Sequence, residues 1–401
     1  MNEKDQISYA KTVYGDEEVQ AVIKCLNEST QMGKYSREFE SNIANLFDKK
    51  YCLYVNSGSS ALYIGIESFK FKKNSEVITP ALTFSTSIGC LAKNDLIPVF
   101  TDVKPTTYCI DENEIENLIN ENTVAILAPN LMGNICDWKT IKDIADKHNL
   151  IVIEDSADTL GSTLNGKKTG SFTDMSITSF YGSHIINCAG NGGALAINDL
   201  EVMENSKLLR SWGRSSSLFD EKSEEIKNRF NIKLEDIDYD AKFVFETVGY
   251  NLEGNELGAA FGLAQLKKLK SNIIQRQKNF QLQFNFFDSH RDFFLNPMET
   301  PGADTAWLAY PVLIKEDAPF SRKQFQIYLE KRNIQTRVVF TGNVMKQPMA
   351  KEINFKTNVN GYSNSDNVMR NGVLLPVHHG MTESMFIRLH DTIEEFIKAH
   401  T

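Results

Sequence analysis

The sequence predicts an α/β protein, with a mixed, mainly parallel sheet in a large first domain and a smaller α/β domain behind it. Up to about residue 199, short apolar runs of strand type alternate with amphipathic stretches of helix type. This alternation is typical of a parallel sheet whose strands are joined by helices. The chain has 401 residues, 41% of them apolar, which is enough for two domains with large cores. We expect the domains to span residues 1–250 and 251–401.

The elements of the first domain can be assigned in chain order. EEVQAVIKCLNES, residues 17–29, places Val19, Val22, Ile23 and Leu26 on one face of a helix. YCLYV at 51–55 predicts a buried strand, which the small-residue turn NSGSS and a helix from Ala61 follow. Further strands are predicted at 76–80, 98–103, 124–130 and 150–156, with helices at 112–120 and 137–149.

The pattern changes after residue 199. Residues 214–240 are polar and charged, and we interpret them as a long excursion that covers or completes a site. A helix at 255–280 then leads into the second domain. There, strands are predicted at 307–314 and 335–340 and helices at 323–333 and 383–400.

Composition excludes several classes of function. The net charge is −9 with both signs interleaved, which argues against nucleic acid as a partner because phosphate backbones need a basic stripe. The sequence lacks the roughly 18 to 20 apolar residues in a row that a membrane span needs, and its polar N-terminus does not resemble a signal peptide. Its six cysteines are scattered without a CxxC pair. Free thiols in a reducing compartment are the expectation, so we predict a soluble cytoplasmic protein.

Two polar motifs follow predicted strands. Asn56-Ser57-Gly58-Ser59-Ser60-Ala61 could close backbone N–H groups on an anion at a helix N-terminus, although a simple N-cap turn also explains it. Ile153-Glu154-Asp155-Ser156-Ala157-Asp158 ends an apolar strand, where ligands of α/β sheets bind. Asp155 could hold a protonated ring nitrogen, and Asp158 could reach a ring hydroxyl or a substrate. A helix cap is the alternative for either carboxylate.

The third motif contains a histidine. SFYGSHII, residues 179–186, runs from an apolar strand into a polar turn, and GNGGAL at 190–195 follows. A single histidine is more often a surface or core residue than a catalytic one. The three motifs together carry more information than any one alone.

In this order and spacing, the chain resembles the DegT/DnrJ/EryC1/StrS sugar aminotransferase family of fold-type I pyridoxal-phosphate enzymes. The family's pattern is a small-residue phosphate turn, then VIEDxAxxxG, then S-x-F-x-x-x-K followed by G-x-G-G. Here VIEDSADTLGS and SFYGSHIINCAGNGGALAIND occupy the last two places. GYNLEGNELGAAFGLAQLKKL at 249–269 and QTRVVFTGNVMKQP at 335–348 are also similar to family sequence, so the resemblance covers nearly the whole chain.

The chain departs from the family at the lysine, which His184 replaces. An imidazole cannot bond covalently to the cofactor aldehyde as a lysine amine does, but it can move protons near neutral pH. One branch of the family is known for this replacement: the 3-dehydratases of nucleotide-linked 4-keto-6-deoxyhexoses, which work in deoxysugar biosynthesis. One kind carries an iron–sulfur cluster on four cysteines after a WGR segment. Here serines follow Ser211-Trp212-Gly213-Arg214 and no cysteine occurs after Cys188, so the resemblance favours the cluster-free, GDP-4-keto-6-deoxymannose 3-dehydratase type.

The resemblance implies a role for each site residue, with His184 as the catalytic group. Cofactor-binding residues would be Gly58, Ser59 and Ser179 at the phosphate, Asp155 at the pyridine nitrogen, Phe84 on the ring face and Asp158 at the ring hydroxyl. It also implies a homodimer with shared sites, in which Asn251 reaches the partner's cofactor phosphate. L-Glutamate would convert pyridoxal phosphate to pyridoxamine phosphate. No iron–sulfur cluster or other metal is expected.

Arg337 and Asn343 are candidates for binding the nucleotide-linked sugar, and His378 and His379 for binding the sugar or glutamate. Surface or structural roles are equally compatible with all four. Arg337 is the strongest because a guanidinium binds carboxylate or phosphate in two-point fashion. Two other functions remain open: a nucleotide-sugar aminotransferase that works without lysine, and a non-catalytic binding protein that kept the pocket. The nucleotide and the hexose cannot be predicted.

Overall fold

The structure is a computed structural model that describes residues 6–219, 222 and 225–401. Its helices are α1 (Asp16–Glu28), α2 (Lys34–Leu46), α3 (Gly58–Ser68), α4 (Ser85–Lys93), α5 (Glu112–Leu118), α6 (Trp138–His148), α7 (Leu200–Arg210), α8 (Ile226–Arg229), α9 (Glu256–Asp288), α10 (Arg322–Glu330), α11 (Ser363–Asn371) and α12 (Glu383–His400). Its strands are β1 (Tyr51–Val55), β2 (Glu76–Pro80), β3 (Ile97–Thr101), β4 (Thr123–Pro129), β5 (Ile151–Asp155), β6 (Thr163–Leu164), β7 (Lys167–Lys168), β8 (Met175–Ser179), β9 (Gly193–Ile197), β10 (Ile232–Leu234), β11 (Ile237–Tyr239), β12 (Phe294–Leu295), β13 (Ala303–Asp304), β14 (Tyr310–Ile314), β15 (Arg337–Val338) and β16 (Gly372–Leu375).

A central sheet organises the first part of the chain. Within the described residues its strand order is β1-β9-β8-β5-β4-β2-β3. Strands β2, β3, β4, β5 and β8 pair in parallel, whereas β9 runs antiparallel to both β8 and β1. This confirms the predicted mixed, mainly parallel sheet. The carboxyl ends of β4, β5 and β8 therefore meet at one edge, where the motifs after them converge.

Helix α3 begins at Gly58, three residues before the predicted start at Ala61. The Ser57 hydroxyl accepts a hydrogen bond from the Ser60 backbone N–H at 3.1 Å, so the small residues of the turn are already helical. The sequence suggested a turn before the helix because glycine and serine are weak helix formers. As a result, the first N–H groups of α3 lie directly at the end of β1.

The C-terminal part forms a second sheet, β12-β14-β16-β15, whose pairs are all antiparallel. Its buried core includes Phe325, Leu374 and Phe396, together with Ile7 and Leu82 from the N-terminal part. The predicted strand at 335–340 is short, since only Arg337–Val338 pair with β16. Helix α9 has 33 residues and contacts α1 and α2 as well as β12, so one helix connects both sheets. The boundary at residue 250 remains a prediction.

A segment that we call the N-terminal strap, residues 7–13, crosses between the two parts. Ile7 pairs with Ile334 at the edge of the C-terminal part. At its other end, the Val13 carbonyl accepts a hydrogen bond from the Gln265 side chain of α9 at 3.1 Å. The strap is therefore anchored at one end beside Ile334 and at the other end to helix α9. No helix in the described part of the chain is long and apolar enough to cross a bilayer.

The predicted excursion at 214–240 contains short elements where it is described. It includes the one-turn helix α8 and the two-stranded hairpin β10–β11. Large apolar side chains in and just after it are exposed, with Ile226 at 78% and Val248 at 89% of full exposure. None of the residues described in this segment lines the cavity described next.

Candidate active site

A cavity of about 350 Å³ lies at the carboxyl ends of β4, β5 and β8. Its volume falls at the lower end of the roughly 300–1,000 Å³ typical of small-molecule sites. Seven of the residues predicted from the sequence line it: Gly58, Ser59, Phe84, Asp155, Asp158, Ser179 and His184. The structure therefore brings together residues from four separate parts of the chain.

One wall of the cavity is the N-terminus of α3 packed against the end of β8. A Cβ added to Gly58 would lie 2.8 Å from the Ser179 Cβ, so only glycine permits this approach. On the neighbouring strand, a Cβ on Gly193 would lie 2.2 Å from the Ser57 carbonyl carbon. The Ser179 hydroxyl, which accepts from the Tyr181 N–H at 3.3 Å, thereby lies beside the free N–H groups of the helix. Such a wall suits a phosphate, because N–H groups and helix dipole both favour negative charge.

Asp155, the last residue of β5, is buried on the opposite side. Its carboxylate accepts hydrogen bonds from the Ser87 hydroxyl at 2.8 Å and the Ala157 N–H at 3.1 Å. Burial raises the pKa of Asp155, although these two hydrogen bonds act in the opposite direction. A buried carboxylate without a cation is costly, so this site would be stabilised by a ligand that brings an N–H⁺ group.

Asp158 lies next to Asp155 at the same cavity wall. Burial, reinforced by the charge of Asp155, raises the pKa of Asp158 to about 8. Its carboxylate accepts from the Met132 N–H at 2.9 Å. Met132 and Gly133 adopt left-handed backbone conformations, with φ of 59° and 97°. The turn is backed by the second part of the chain, because the Leu308 N–H donates to the Met132 carbonyl at 2.8 Å.

His184 lies in the turn after β8. Its Nδ1 is 3.2 Å from the Ser179 carbonyl oxygen, and its ring meets that of Tyr181 edge to face at 6.1 Å between centroids. The pKa of His184 is lowered to about 4, mainly by burial and to a smaller extent by the nearby charge of Arg276. Hydrogen bonds to the Ser179 and Ala157 carbonyls act in the opposite direction. The imidazole is therefore neutral at physiological pH and able to accept a proton.

An aromatic side chain lies across the cavity mouth. Phe84 is 51% exposed, which is high for a phenylalanine, and its ring contacts Phe340 edge to face at 5.8 Å. Both rings line the cavity, so one face of Phe84 is available to a planar ligand. Core packing alone does not account for this exposure.

Three predicted residues lie outside this lining. Asn251 is exposed, its backbone bridges to Ser211, and it does not line the cavity of its own chain. The Arg337 guanidinium stacks 5.6 Å from the ring centroid of Tyr9, which does line the cavity, and lies 3.9 Å from Glu330. Asn343 has a structural role instead: its amide donates to Asp366 at 2.8 Å and its oxygen caps a short helical turn by accepting from Met345.

The two C-terminal histidines also have structural partners. His378 contacts the Ser8 carbonyl at 3.2 Å, and His379 Nδ1 accepts from the buried Arg276 at 3.2 Å. Neither lines the cavity. Asn343, His378 and His379 thus have structural partners in this structure, and their contact with substrate stays a prediction.

The sequence reading missed several lining residues. Ser87, whose hydroxyl donates to Asp155, could have been noticed from its place three residues after Phe84. No sequence motif indicated Tyr9, because nothing in the sequence places the N-terminal residues at the sheet edge that residues 56–184 form. Leu308 and Phe340 likewise come from the C-terminal part.

The site combines an anion-binding wall, two buried carboxylates and an aromatic face within one cavity, with a neutral imidazole beside them. A flat heteroaromatic cation that carries an anionic group would satisfy all of these features. Asp155 would gain a positively charged partner, and the α3 N-terminus would gain a negatively charged one. This fit rests on the residues themselves.

Comparisons with known proteins agree with this geometry. The sequence profile of the DegT/DnrJ/EryC1/StrS aminotransferase family matches residues 13–394. A dTDP-4-dehydro-2,6-dideoxy-D-glucose 3-dehydratase of Saccharopolyspora spinosa is 33% identical over 95% of this chain and 84% of its own. A GDP-4-keto-6-deoxy-D-mannose 3-dehydratase of Escherichia coli O55:H7 is 29% identical over 92% of this chain and 94% of its own. The solved E. coli GDP-4-keto-6-deoxy-D-mannose-3-dehydratase with bound hydrated PLP superimposes with a TM-score of 0.86 at 28% identity, covering 96% and 99% of the two chains.

Proposed function

The chain belongs to the DegT/DnrJ/EryC1/StrS aminotransferase family, and on that basis we propose that it is a pyridoxal-phosphate-dependent 3-dehydratase. It removes the C3 hydroxyl of a nucleotide-linked 4-keto-6-deoxyhexose, with L-glutamate as amino donor. The observation that carries the proposal is His184, which occupies the turn after β8 where the family has its lysine. Among the described residues that line the cavity there is no lysine.

The lining of the cavity supports the following proposal for the cofactor contacts. Gly58, Ser59 and Ser179 hold the phosphate, Asp155 pairs with the pyridine nitrogen, and Asp158 lies at the ring hydroxyl. Phe84 covers one face of the ring. When bound, pyridoxal phosphate or its pyridoxamine form supplies an electron sink that stabilises negative charge next to the reacting carbon.

His184 performs the proton transfers in this proposal. As a neutral imidazole it takes a proton from the cofactor's methylene carbon, and as imidazolium it returns a proton to the departing C3 hydroxyl. General acid–base help of this kind typically contributes about 10² to 10⁴ in rate. A lysine in its place would bond to the cofactor and favour amino transfer over loss of water.

A homodimer with shared sites is part of the proposal. Asn251 is exposed and does not line the cavity of its own chain, as expected if it contacts the phosphate in a second copy. The exposed apolar side chains of residues 226–248 would be covered by the same contact, since patches of this kind mark association surfaces. We also propose a cytoplasmic location, because the cysteines of the chain are free.

Absence of an iron–sulfur cluster is also part of the proposal, and iron analysis of the purified protein tests it.

The relatives do not agree on the nucleotide, since one is named for a dTDP-linked and another for a GDP-linked sugar.

The decisive experiment is a panel of GDP-, CDP- and dTDP-4-keto-6-deoxyhexoses, each incubated with the protein, pyridoxal phosphate and glutamate. Mass spectrometry should show loss of the C3 oxygen from one of them, with release of ammonia and 2-oxoglutarate. A stable amino sugar would instead make the chain an aminotransferase, as the GDP-perosamine synthase of Caulobacter vibrioides, 28% identical, is by name. No conversion of any sugar would favour a binding protein.

A further inference from the structure

We propose that Tyr9, on the N-terminal strap, hydrogen-bonds the C3 hydroxyl of the hexose and positions it for departure. This inference rests on the proposed dehydratase function and adds a substrate contact to it. The sequence pattern of the family motifs does not include Tyr9, and its contacts within the cavity carry the argument.

The first observation is where Tyr9 lies. Its side chain lines the same cavity as His184 and Asp158, although the three residues are far apart in the sequence. The cavity has a volume of about 350 Å³, within the range of small-molecule sites. Because His184 lines the same cavity, Tyr9 faces the space in which the proposed proton transfers take place.

The second observation is the protonation and hydrogen bonding of the Tyr9 phenol. Burial raises the pKa of Tyr9, so the phenol keeps its proton and is a hydrogen-bond donor at neutral pH. Its backbone N–H donates to the Gln335 side chain at 3.1 Å, but within the described part of the chain the phenol oxygen has no hydrogen-bond partner. Tyr9 is half-buried and lines the cavity, so its hydroxyl is available to a ligand hydroxyl there.

The third observation is how firmly the strap is held. Ile7 pairs with Ile334, the Ser8 carbonyl contacts His378 at 3.2 Å, and the Thr12 hydroxyl donates to the Gly182 carbonyl. Gly182 is two residues from His184, so the strap and the catalytic turn share an anchor. Tyr9 and His184 are thus fixed relative to each other, as two groups that act on one hydroxyl need to be.

The different roles of Tyr9 and His184 follow from the chemistry of their side chains. A phenol with a raised pKa is a poor acid, so Tyr9 keeps its proton and only donates a hydrogen bond to the C3 oxygen. His184 supplies the proton with which that oxygen leaves as water. Arg337, stacked 5.6 Å from the Tyr9 ring centroid, holds the ring from the outside.

The test compares Tyr9→Phe with Tyr14→Phe, whose ring is 58% exposed and lies outside the cavity lining. Binding is measured by calorimetry to the pyridoxal-phosphate-loaded protein without glutamate, so that no sugar is consumed. The probes are the 4-keto sugar nucleotide that the native chain dehydrates and its 3-deoxy product. Glutamate conversion of the cofactor, followed by absorbance, is the internal control.

Tyr9→Phe should weaken binding of the substrate roughly three- to tenfold, the loss expected for one hydrogen bond. It should leave binding of the 3-deoxy product and the glutamate reaction unchanged, and Tyr14→Phe should match the native chain in all three measurements. Equal weakening of substrate and product, no weakening of either, or a slower glutamate reaction would overturn the proposal. If the native chain dehydrates no sugar nucleotide, the proposed function fails first, and the Tyr9 contact fails with it.

Discussion

The imidazole Nδ1 of His184 lies 3.2 Å from the carbonyl oxygen of Ser179. A carbonyl can only accept a hydrogen bond, so this contact requires a proton on Nδ1. Ser179 also forms the wall against which Gly58 packs. The residue that would contact the cofactor phosphate thus also helps to orient the imidazole of the proposed base.

His184→Asn tests the role of this imidazole. The variant should bind pyridoxal phosphate as the native chain does, because the anion-binding wall and Asp155 are untouched, but dehydration should fall by at least about 10². Borohydride treatment of the native protein should leave no cofactor covalently attached, as read by mass spectrometry. His184→Lys is the matched variant, which borohydride should link to the cofactor. Normal dehydration by the asparagine variant, or a native chain linked through some other lysine, would contradict the role given to His184.

Asp158 makes a prediction about the cofactor-free protein. Burial and the charge of Asp155 raise its pKa from 3.8 to about 8 in the folded chain. The stability associated with the protonated form is therefore fully present below pH 3.8 and is lost as the pH rises through about 8. Asp158→Asn keeps an acceptor for the Met132 N–H but has no charge to bury. The substitution should raise Tm at pH 8.5 and change it little at pH 4.

Thermal unfolding of cofactor-free protein at the two pH values provides this measurement. Asp317→Asn, at an exposed aspartate, is the control and should not alter the pH dependence of Tm. If Asp158→Asn raised Tm by the same amount at both pH values, the charge of the Asp158 carboxylate would not be the cause of the increase.

Much of this site could be predicted from the sequence because its residues follow strands directly. Asp155 ends β5 and Ser179 ends β8, and carboxyl ends of parallel strands converge at one edge. Asn343 lies outside the cavity lining and caps a short helical turn, as a polar side chain after a strand often does, and its contact with substrate stays a prediction. Tyr9 and Leu308 could not be found, since they reach the cavity only through packing between segments far apart in the chain.

Gly58→Ala tests the anion-binding wall. The added Cβ would lie 2.8 Å from the Ser179 Cβ, so the α3 N-terminus and Ser179 must move apart. Strain of this kind typically costs about 1–3 kcal/mol, and the affinity for pyridoxal phosphate should fall roughly five- to hundredfold. Gly89→Ala in α4 is the control, because a Cβ there meets nothing within 4 Å. Titration of the cofactor by absorbance gives both affinities, and an unchanged value for Gly58→Ala would remove this wall from the site.

Asn251 can be tested by mixing two inactive variants. In a homodimer with shared sites, each site combines His184 of one protomer with Asn251 of its partner. Asn251→Ala should weaken cofactor binding and activity in both sites, and His184→Asn should abolish dehydration in both. A mixed dimer has one site with both substitutions and one site with neither, so co-refolding or co-expression of the two variants should restore activity. Since half of the dimers in a statistical mixture are mixed and each has one intact site, recovery should approach about a quarter of the native value. If Asn251 acted within its own chain, every site would carry one lesion and the mixture would be no more active than its components.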